Sequence, residues 1–511
     1  MNTLTLDGAS LRLDDLVPLV HGEALELAIA PGALEAVRKA RAVVEHHVER
    51  GDVVYGLTTG FGRLKNVAIA SEDLVALQRN LVLSHCCGVG DPMPREEVRL
   101  AQVFRLNSLL RGYSGIRVEL AEALCRLFNK GFVPVVPRKG SVGASGDLAP
   151  LAHMAATYLG EGEAFLGERR MPAAEALAQI GEEPLALQAK EGLALINGTE
   201  VIKATGYVAW TRARSLSKAA DAIASLTIEA LFGSIKPFDP RLAELKSSDG
   251  HARTAANVRR CLEDSAVLES HASCDRVQDA YSLRCIPQIH GACKTALAHV
   301  GDVLAAELNA ITDNPVVFPE TRETMSAGMF HGQPLSMALD YLTLSLCTLA
   351  NVSERRIERL VNPDFSELPA FLTPRPGANS GLMIAQVAAA ALASENKALA
   401  HPASVDTIPT SAGQEDHVSM GAWSARKARE VVENVERVLA IEWLCAAQGR
   451  EFHADLRAGK GAAAARASLR EVVEPLEDDR YLEPDLEAAR ARIASGALVA
   501  AVERAIGPLE A

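Results

Sequence analysis

Apolar positions in the second half of the chain recur with helical spacing. From Ala428 onward, Ala428, Val432, Val435, Leu439, Trp443 and Ala446 fall at i, i+4, i+7 and beyond, tracing one face of a long helix. Similar patterns run from about Cys293 to Thr312, stopped by Asp313-Asn314-Pro315, and from about Met337 to Val361, stopped by Asn362-Pro363. Another opens after Ser380-Gly381 and ends at His401-Pro402. Several of these helices are apolar nearly all round, and such a helix must be covered on every side. One chain can hardly do that for four or five helices, so the predicted bundle also packs against other copies of itself. Strand-like signals are sparse: Thr3 to Leu6, Leu11 to Leu13, Val53-Val54-Tyr55 and Phe165 to Met171. The prediction is an all-α fold, a long central helical bundle with small N-terminal β elements. An N-terminal domain is expected over 1–202, the long-helix bundle over 203–450, and a helical, alanine- and charge-rich segment over 451–511. Within the last, Gly459 to Ala465 reads as a mobile connection.

Composition narrows the function classes. The 511 residues would suggest about three domains on length alone. A 48% hydrophobic content with only 4% aromatic describes a large core rich in alanine and leucine. Net charge is −13 and no basic run occurs, which argues against nucleic acid and anionic membranes as partners. The start Met1-Asn2-Thr3-Leu4-Thr5-Leu6-Asp7 lacks the basic and apolar regions of a signal peptide, and no uninterrupted apolar run is long enough to span a bilayer. Nine cysteines without C-x-x-C spacing fit a reducing compartment, so a soluble, cytoplasmic protein is expected.

The chemistry concentrates at Gly143-Ala144-Ser145-Gly146-Asp147, set after Gly140-Ser141-Val142 and before Leu148-Ala149-Pro150. A backbone amide reaches a carbonyl two residues upstream only where the chain folds back tightly, and Gly146, without a Cβ, removes the steric barrier. Ala144-Ser145-Gly146 can therefore close into a five-membered ring. Loss of water from Ser145 then leaves a methylidene conjugated to a carbonyl, an electrophile no ordinary side chain provides. A serine-hydrolase elbow lacks its second glycine here, and a phosphate loop lacks its Lys-Ser/Thr. On the tripeptide alone a flexible turn is the competing reading.

The blocks Tyr55-Gly56-Leu57-Thr58-Thr59-Gly60-Phe61-Gly62, Gly140 to Pro150, Leu195-Ile196-Asn197-Gly198-Thr199, Gln278 to Cys285 and Thr312-Asp313-Asn314-Pro315 follow in order. From about residue 53 to about 450 the chain resembles the aromatic amino acid ammonia-lyase and aminomutase family. That resemblance implies a methylidene-imidazolone (MIO) group made from Ala144, Ser145 and Gly146, with no external cofactor, and a homotetramer in which three chains line each active site. It places Tyr55 as the base that removes the β-hydrogen, and Asn197 and Tyr281 against the prosthetic group or substrate. Arg284 offers a bidentate fork for the substrate carboxylate, where a structural ion pair is the alternative. Gln278 and Phe330 would line the pocket, and Asp147 would assist cyclisation.

Two positions point to histidine as substrate. Ser84-His85 stands where the family's histidine enzymes have a Ser-His pair, and Gln414-Glu415-Asp416-His417-Val418-Ser419-Met420 resembles their version of that segment. A buried imidazole with an unpaired nitrogen costs about 1–3 kcal/mol, and His85 and Glu415 could supply partners. Alternatively His85 is a core residue or weak metal ligand and Glu415 a cap or ion-pair carboxylate. Zinc-ligand spacing is absent, so no metal is expected. His417 and His46-His47 read as structural or surface residues. Thr58, Met329, Gly413 and Ala280 depart from the histidine pattern. The expected activity converts L-histidine to trans-urocanate and ammonia, a step of histidine catabolism. Tyrosine or phenylalanine ammonia-lyase or aminomutase activity, and a catalytically silent scaffold, stand as alternatives.

Overall fold

The computed structural model describes residues 2–60, 69 and 73–511; Phe61 and Gly62 of the first motif block lie outside the described residues. The all-α expectation holds, with 59% of the structure helical and only short strands. The chain divides into two compact units. One comprises residues 1–208, 302–340 and 402–426, the other 209–301, 341–401 and 427–511.

The long helices follow from the apolar periodicity. The helix predicted around Ala428 runs Gly421–Glu451, and all six of the periodic positions from Ala428 to Ala446 are buried. The others run Ile286–Leu308, Gln333–Val361 and Met383–Leu399. Gln333–Val361 stops before Asn362-Pro363, where proline disfavours helical geometry in the preceding residue. By length and composition this helix is apolar enough to cross a membrane, yet 67% of its most apolar window is buried inside the fold, as in a core helix. The helix Pro31–Arg50 opens with Pro31 and closes on Gly51 at φ +68°, the left-handed cap glycine adopts without strain.

All the strands fall in the first unit. Asn2–Leu6 pairs in parallel with Leu25–Ile29, with Leu4 opposite Leu27. Phe132–Pro134, Glu163–Leu166 and Arg169–Pro172 form an antiparallel sheet, so the strand expected from Phe165 to Met171 is a hairpin. Val89–Pro92 pairs with Pro137–Lys139, and Val316–Phe318 with Glu323–Met325. Two strand expectations fail. Leu13–Leu16 is a 3-10 turn, because the Asp15 carboxylate accepts the Arg12 N–H and bends the chain. At residues 53–55 the backbone pairs inside a local turn, with the Val54 N–H donating to Thr58 Oγ1 at 2.9 Å.

In the second unit Gly459 to Ala465 is packed, and a helix occupies Lys460–Arg470. A Cβ on Gly461 would lie 2.7 Å from Cys261 Cα, so the small residues there permit close approach of two helices. The same unit buries a polar chain: Asp221 accepts from His290 Nδ1 and Asn257 Nδ2, while Arg356 donates to His290 Nε2 and pairs with Glu442.

Candidate active site

The glycine-rich loop enters the helix Leu148–Tyr158 of the first unit through three left-handed glycines, Gly140, Gly143 and Gly146. At Gly146 φ is +71°, and a Cβ would sit 2.0 Å from the Gly198 carbonyl oxygen. Only glycine fits at this approach. The Asp147 N–H donates to that carbonyl at 2.6 Å, and Ser141 Oγ donates to the Gly146 carbonyl at 3.2 Å. The loop thus presses its backbone against the Asn197-Gly198 turn.

Asp147 ties this arrangement to the helix Glu200–Ala230. Its Oδ2 accepts from the Val201 and Ile202 N–H groups at 2.9 and 2.8 Å, filling orphan donors of the first turn. Burial pushes its carboxyl up to about 8, against the pull of those two N–H groups, and nearby Glu200 adds to the rise. Beneath the turn, Arg105 donates to the Asn197 carbonyl at 2.8 Å and to Glu200 at 3.0 Å, with both charged side chains buried. Thr312 Oγ1 donates to Glu200 at 2.7 Å. Lys190 pairs with Asp313 at 2.7 Å with neither side chain exposed, and burial holds its ammonium pKa below the usual value.

A cavity of about 790 Å³ opens over this platform, and all its lining residues belong to the first unit. Tyr55, His85, Ala144, Ser145, Asn197, Phe330 and Glu415 all line it. Ser145 Oγ donates to Glu415 Oε1 at 3.2 Å, and Thr410 Oγ1 donates to Oε2 at 2.6 Å. Glu415 closes a turn in which Ser411, Ala412 and Gly413 are successively left-handed, at φ +51°, +54° and +81°. The reciprocal backbone bonds of Thr410 and Glu415 hold that turn shut. His85, at the end of the helix Leu74–His85, places Nδ1 2.8 Å from the Leu81 carbonyl. A carbonyl only accepts, so Nδ1 bears a proton, and in the neutral form of such a ring Nε2 is the acceptor. Asn197 Nδ2 donates to the Asn314 carbonyl at 3.0 Å, while Asn197 Oδ1 is buried with no partner.

Gly146, the remaining residue of the tripeptide, is buried beside Ser145. Three predicted residues are placed elsewhere. Gln278, Tyr281 and Arg284 belong to the second unit and are not among the cavity-lining residues. Tyr281 is 69% exposed, and the Arg284 guanidinium stacks 4.5 Å from its ring centroid. Thr58 is buried in the turn that presents Tyr55, donating to the Asp52 carbonyl at 2.6 Å, and does not line the cavity. His417, read from sequence as structural, does line it, and its carbonyl lies 3.2 Å from His331 Nε2. Among the described residues no cluster of His, Cys, Asp and Glu has the geometry to hold a metal ion. Sequence reasoning missed Thr410, Arg105 and Lys190, whose roles depend on partners distant along the chain.

Comparison with known proteins agrees with this geometry. The family model described as aromatic amino acid lyase matches residues 11–471. A histidine ammonia-lyase from Gloeobacter violaceus is 50% identical over 508 residues, covering 99% of both chains. The crystal structure of histidine ammonia-lyase from Trypanosoma cruzi superposes with a TM-score of 0.92 at 42% identity, covering 99% of this chain and 96% of that one. A tyrosine aminomutase from Streptomyces globisporus gives 0.93 at 35% identity, covering 98% of this chain and 99% of the other. The chain belongs to the aromatic amino acid lyase family.

Proposed function

We propose that this protein eliminates ammonia from L-histidine to give trans-urocanate, with a prosthetic group formed from its own Ala144, Ser145 and Gly146. The observation that supports it most is the convergence of Ser145, Tyr55, His85, Asn197 and Glu415 on one cavity. The full-length likeness to histidine ammonia-lyases points the same way.

The loop suits the group in two respects. Gly146 sits where backbone meets backbone with no room for a side chain, as a chain folded back on itself requires. Asn197 spends one of its two amide protons on Asn314, leaving the second to donate toward an oxygen that gains charge. When formed, the MIO group supplies an electrophile that captures the substrate amine and makes its nitrogen a better leaving group.

The remaining work falls to side chains. Tyr55 takes the β-hydrogen as general base from its place on the cavity wall. Glu415 and His85 Nε2 are both acceptors, and either can take the single N–H of a neutral imidazole ring. A phenyl ring offers no donor and so forgoes the hydrogen bond that an imidazole N–H gives the Glu415 carboxylate. Gln278, Tyr281 and Arg284 of one copy complete the site of another in a cytoplasmic homotetramer, with Arg284 taking the substrate carboxylate. The exposure of Gln278 and Tyr281, and the absence of all three from the cavity wall, support this assignment.

The test incubates purified protein separately with histidine, tyrosine and phenylalanine and follows acrylate absorbance. Urocanate from histidine is expected, with Ser145→Ala folded and inactive. Turnover of tyrosine without histidine, or full activity in the Ser145→Ala variant, would overturn the reading.

A further inference from the structure

Ser419 lies within the first unit and is fully buried. Its Oγ donates to the Gly143 carbonyl at 3.1 Å and accepts the Gly421 N–H at 3.2 Å, which uses its single proton and one lone pair. The next residue, Met420, donates its N–H to the Val142 carbonyl at 2.8 Å and adopts a left-handed φ of +54°. Two consecutive carbonyls just upstream of Ala144 are therefore pinned by two consecutive residues, 276 positions away in the case of Ser419.

The space around this hydroxyl is kept clear by glycine. A Cβ on Gly143 would lie 2.1 Å from Ser419 Oγ, one on Gly332 at 3.0 Å, and one on Gly421 at 3.3 Å. Gly143 is also left-handed, at φ +71°, so both its conformation and its crowding exclude a side chain. On the other side of the tripeptide, Gly198 receives the Asp147 N–H and abuts Gly146. Ser141 joins the two ends, since its Oγ accepts the Gly143 N–H and donates to the Gly146 carbonyl. Ala144-Ser145-Gly146 is thus held at both ends by backbone and hydroxyl groups outside the tripeptide.

We infer that Ser419 is a positioning residue for the self-processing of the loop: with Met420 it forms an upstream clamp that holds the Ala144 carbonyl within reach of the Gly146 nitrogen. The inference rests on the proposed formation of the prosthetic group. In that process a bond forms between the Gly146 nitrogen and the Ala144 carbonyl carbon. The Ala144 oxygen leaves as water with the protons of the Gly146 and Ser145 nitrogens. The Ser145 hydroxyl leaves as a second water with the Ser145 Cα hydrogen, so no oxidant or reductant takes part. Ser419 joins none of these bonds. It removes the motion of the turn that would otherwise separate the two reacting atoms, and misplacement by about 1 Å at such a centre costs on the order of a hundredfold in rate.

The experiment follows intact mass against time in freshly synthesised full-length protein for the parent chain, Ser419→Ala and Ser424→Ala. Ser424 is an equally buried serine whose hydroxyl meets Ser336 at 2.8 Å, so it controls for loss of a core hydroxyl. The parent and Ser424→Ala are expected to lose two waters at one rate, and folded Ser419→Ala to lose them about ten- to a hundredfold more slowly. Water loss at the parental rate in folded Ser419→Ala overturns the clamp. A parent chain that never loses water instead refutes the prosthetic group itself, which separates the two failures. If Ser419→Ala does not fold, Ser419→Cys keeps a side chain of the same shape, slightly larger, with a weaker donor. Slower water loss there supports the clamp, and the parental rate overturns it.

Discussion

Thr410→Val removes one hydroxyl and nothing else of comparable size, which makes it a sharp probe of how Glu415 is aimed. Thr410 Oγ1 donates to Glu415 Oε2 at 2.6 Å, a short contact to an acceptor whose other oxygen receives the Ser145 hydroxyl. Hydrogen bonds to charged groups contribute about 1.5–3 kcal/mol, and because both residues are only half-buried, water replaces part of the loss. A net cost of about 1–2 kcal/mol corresponds to a five- to thirtyfold fall in kcat/KM for histidine, roughly tenfold for each 1.4 kcal/mol. Most of it should appear in KM if, as proposed, the carboxylate holds the substrate ring in ground and transition states alike. The backbone pairs between Thr410 and Glu415 remain, so the left-handed turn at 411–413 stays closed and thermal stability should change little. Urocanate absorbance over a range of histidine concentrations reads the effect, and Thr410→Ser should restore most of it. A Thr410→Val enzyme within twofold of the parent, or an equal loss in Thr410→Ser, would show that the Thr410 hydroxyl does not aim Glu415.

Two further outcomes follow from buried charge. Lys190→Met removes the ion-pair partner of Asp313 in a site closed to solvent and should cost about 3–5 kcal/mol in chemical denaturation; Lys190→Met with Asp313→Asn should recover more than half, and no recovery would contradict the pairing. Asp147 binds its proton more tightly in the folded protein than in the unfolded chain, 3.8 rising to about 8, so its contribution to stability is full below about pH 4 and is lost as pH climbs toward 8. Asp147→Asn should therefore gain in melting temperature relative to the parent across that window, and a difference independent of pH would count against the buried, protonated carboxyl.

Sequence and structure agree most closely where a pattern is local. Every periodic apolar residue from Ala428 to Ala446 is buried, and Pro363 marks the end of the helix before it. The tripeptide was legible because its chemistry depends on three adjacent residues. The helix Glu200–Ala230 was not singled out, since Glu200, Lys203, Asp221 and Glu229 look like a solvated face yet are buried against distant partners. Asp221, for example, meets His290 at a separation of 69 positions. The short strands at 89–92 and 137–139 contain proline and glycine and show no alternation, so pairing alone defines them. Ser419 and Thr410 are ordinary serine and threonine until the fold brings them to the loop and to Glu415. Thr58, which on sequence alone bore on substrate choice, is a turn-closing residue behind Tyr55.

Whether residues 144 to 146 of this chain become its electrophile is read most directly from the intact mass of the purified, active protein. The expected polypeptide is two waters lighter than its translated composition, whereas Ser145→Ala, with no hydroxyl to eliminate, cannot lose the second water. A preparation that releases ammonia from histidine while showing its full translated mass would contradict it.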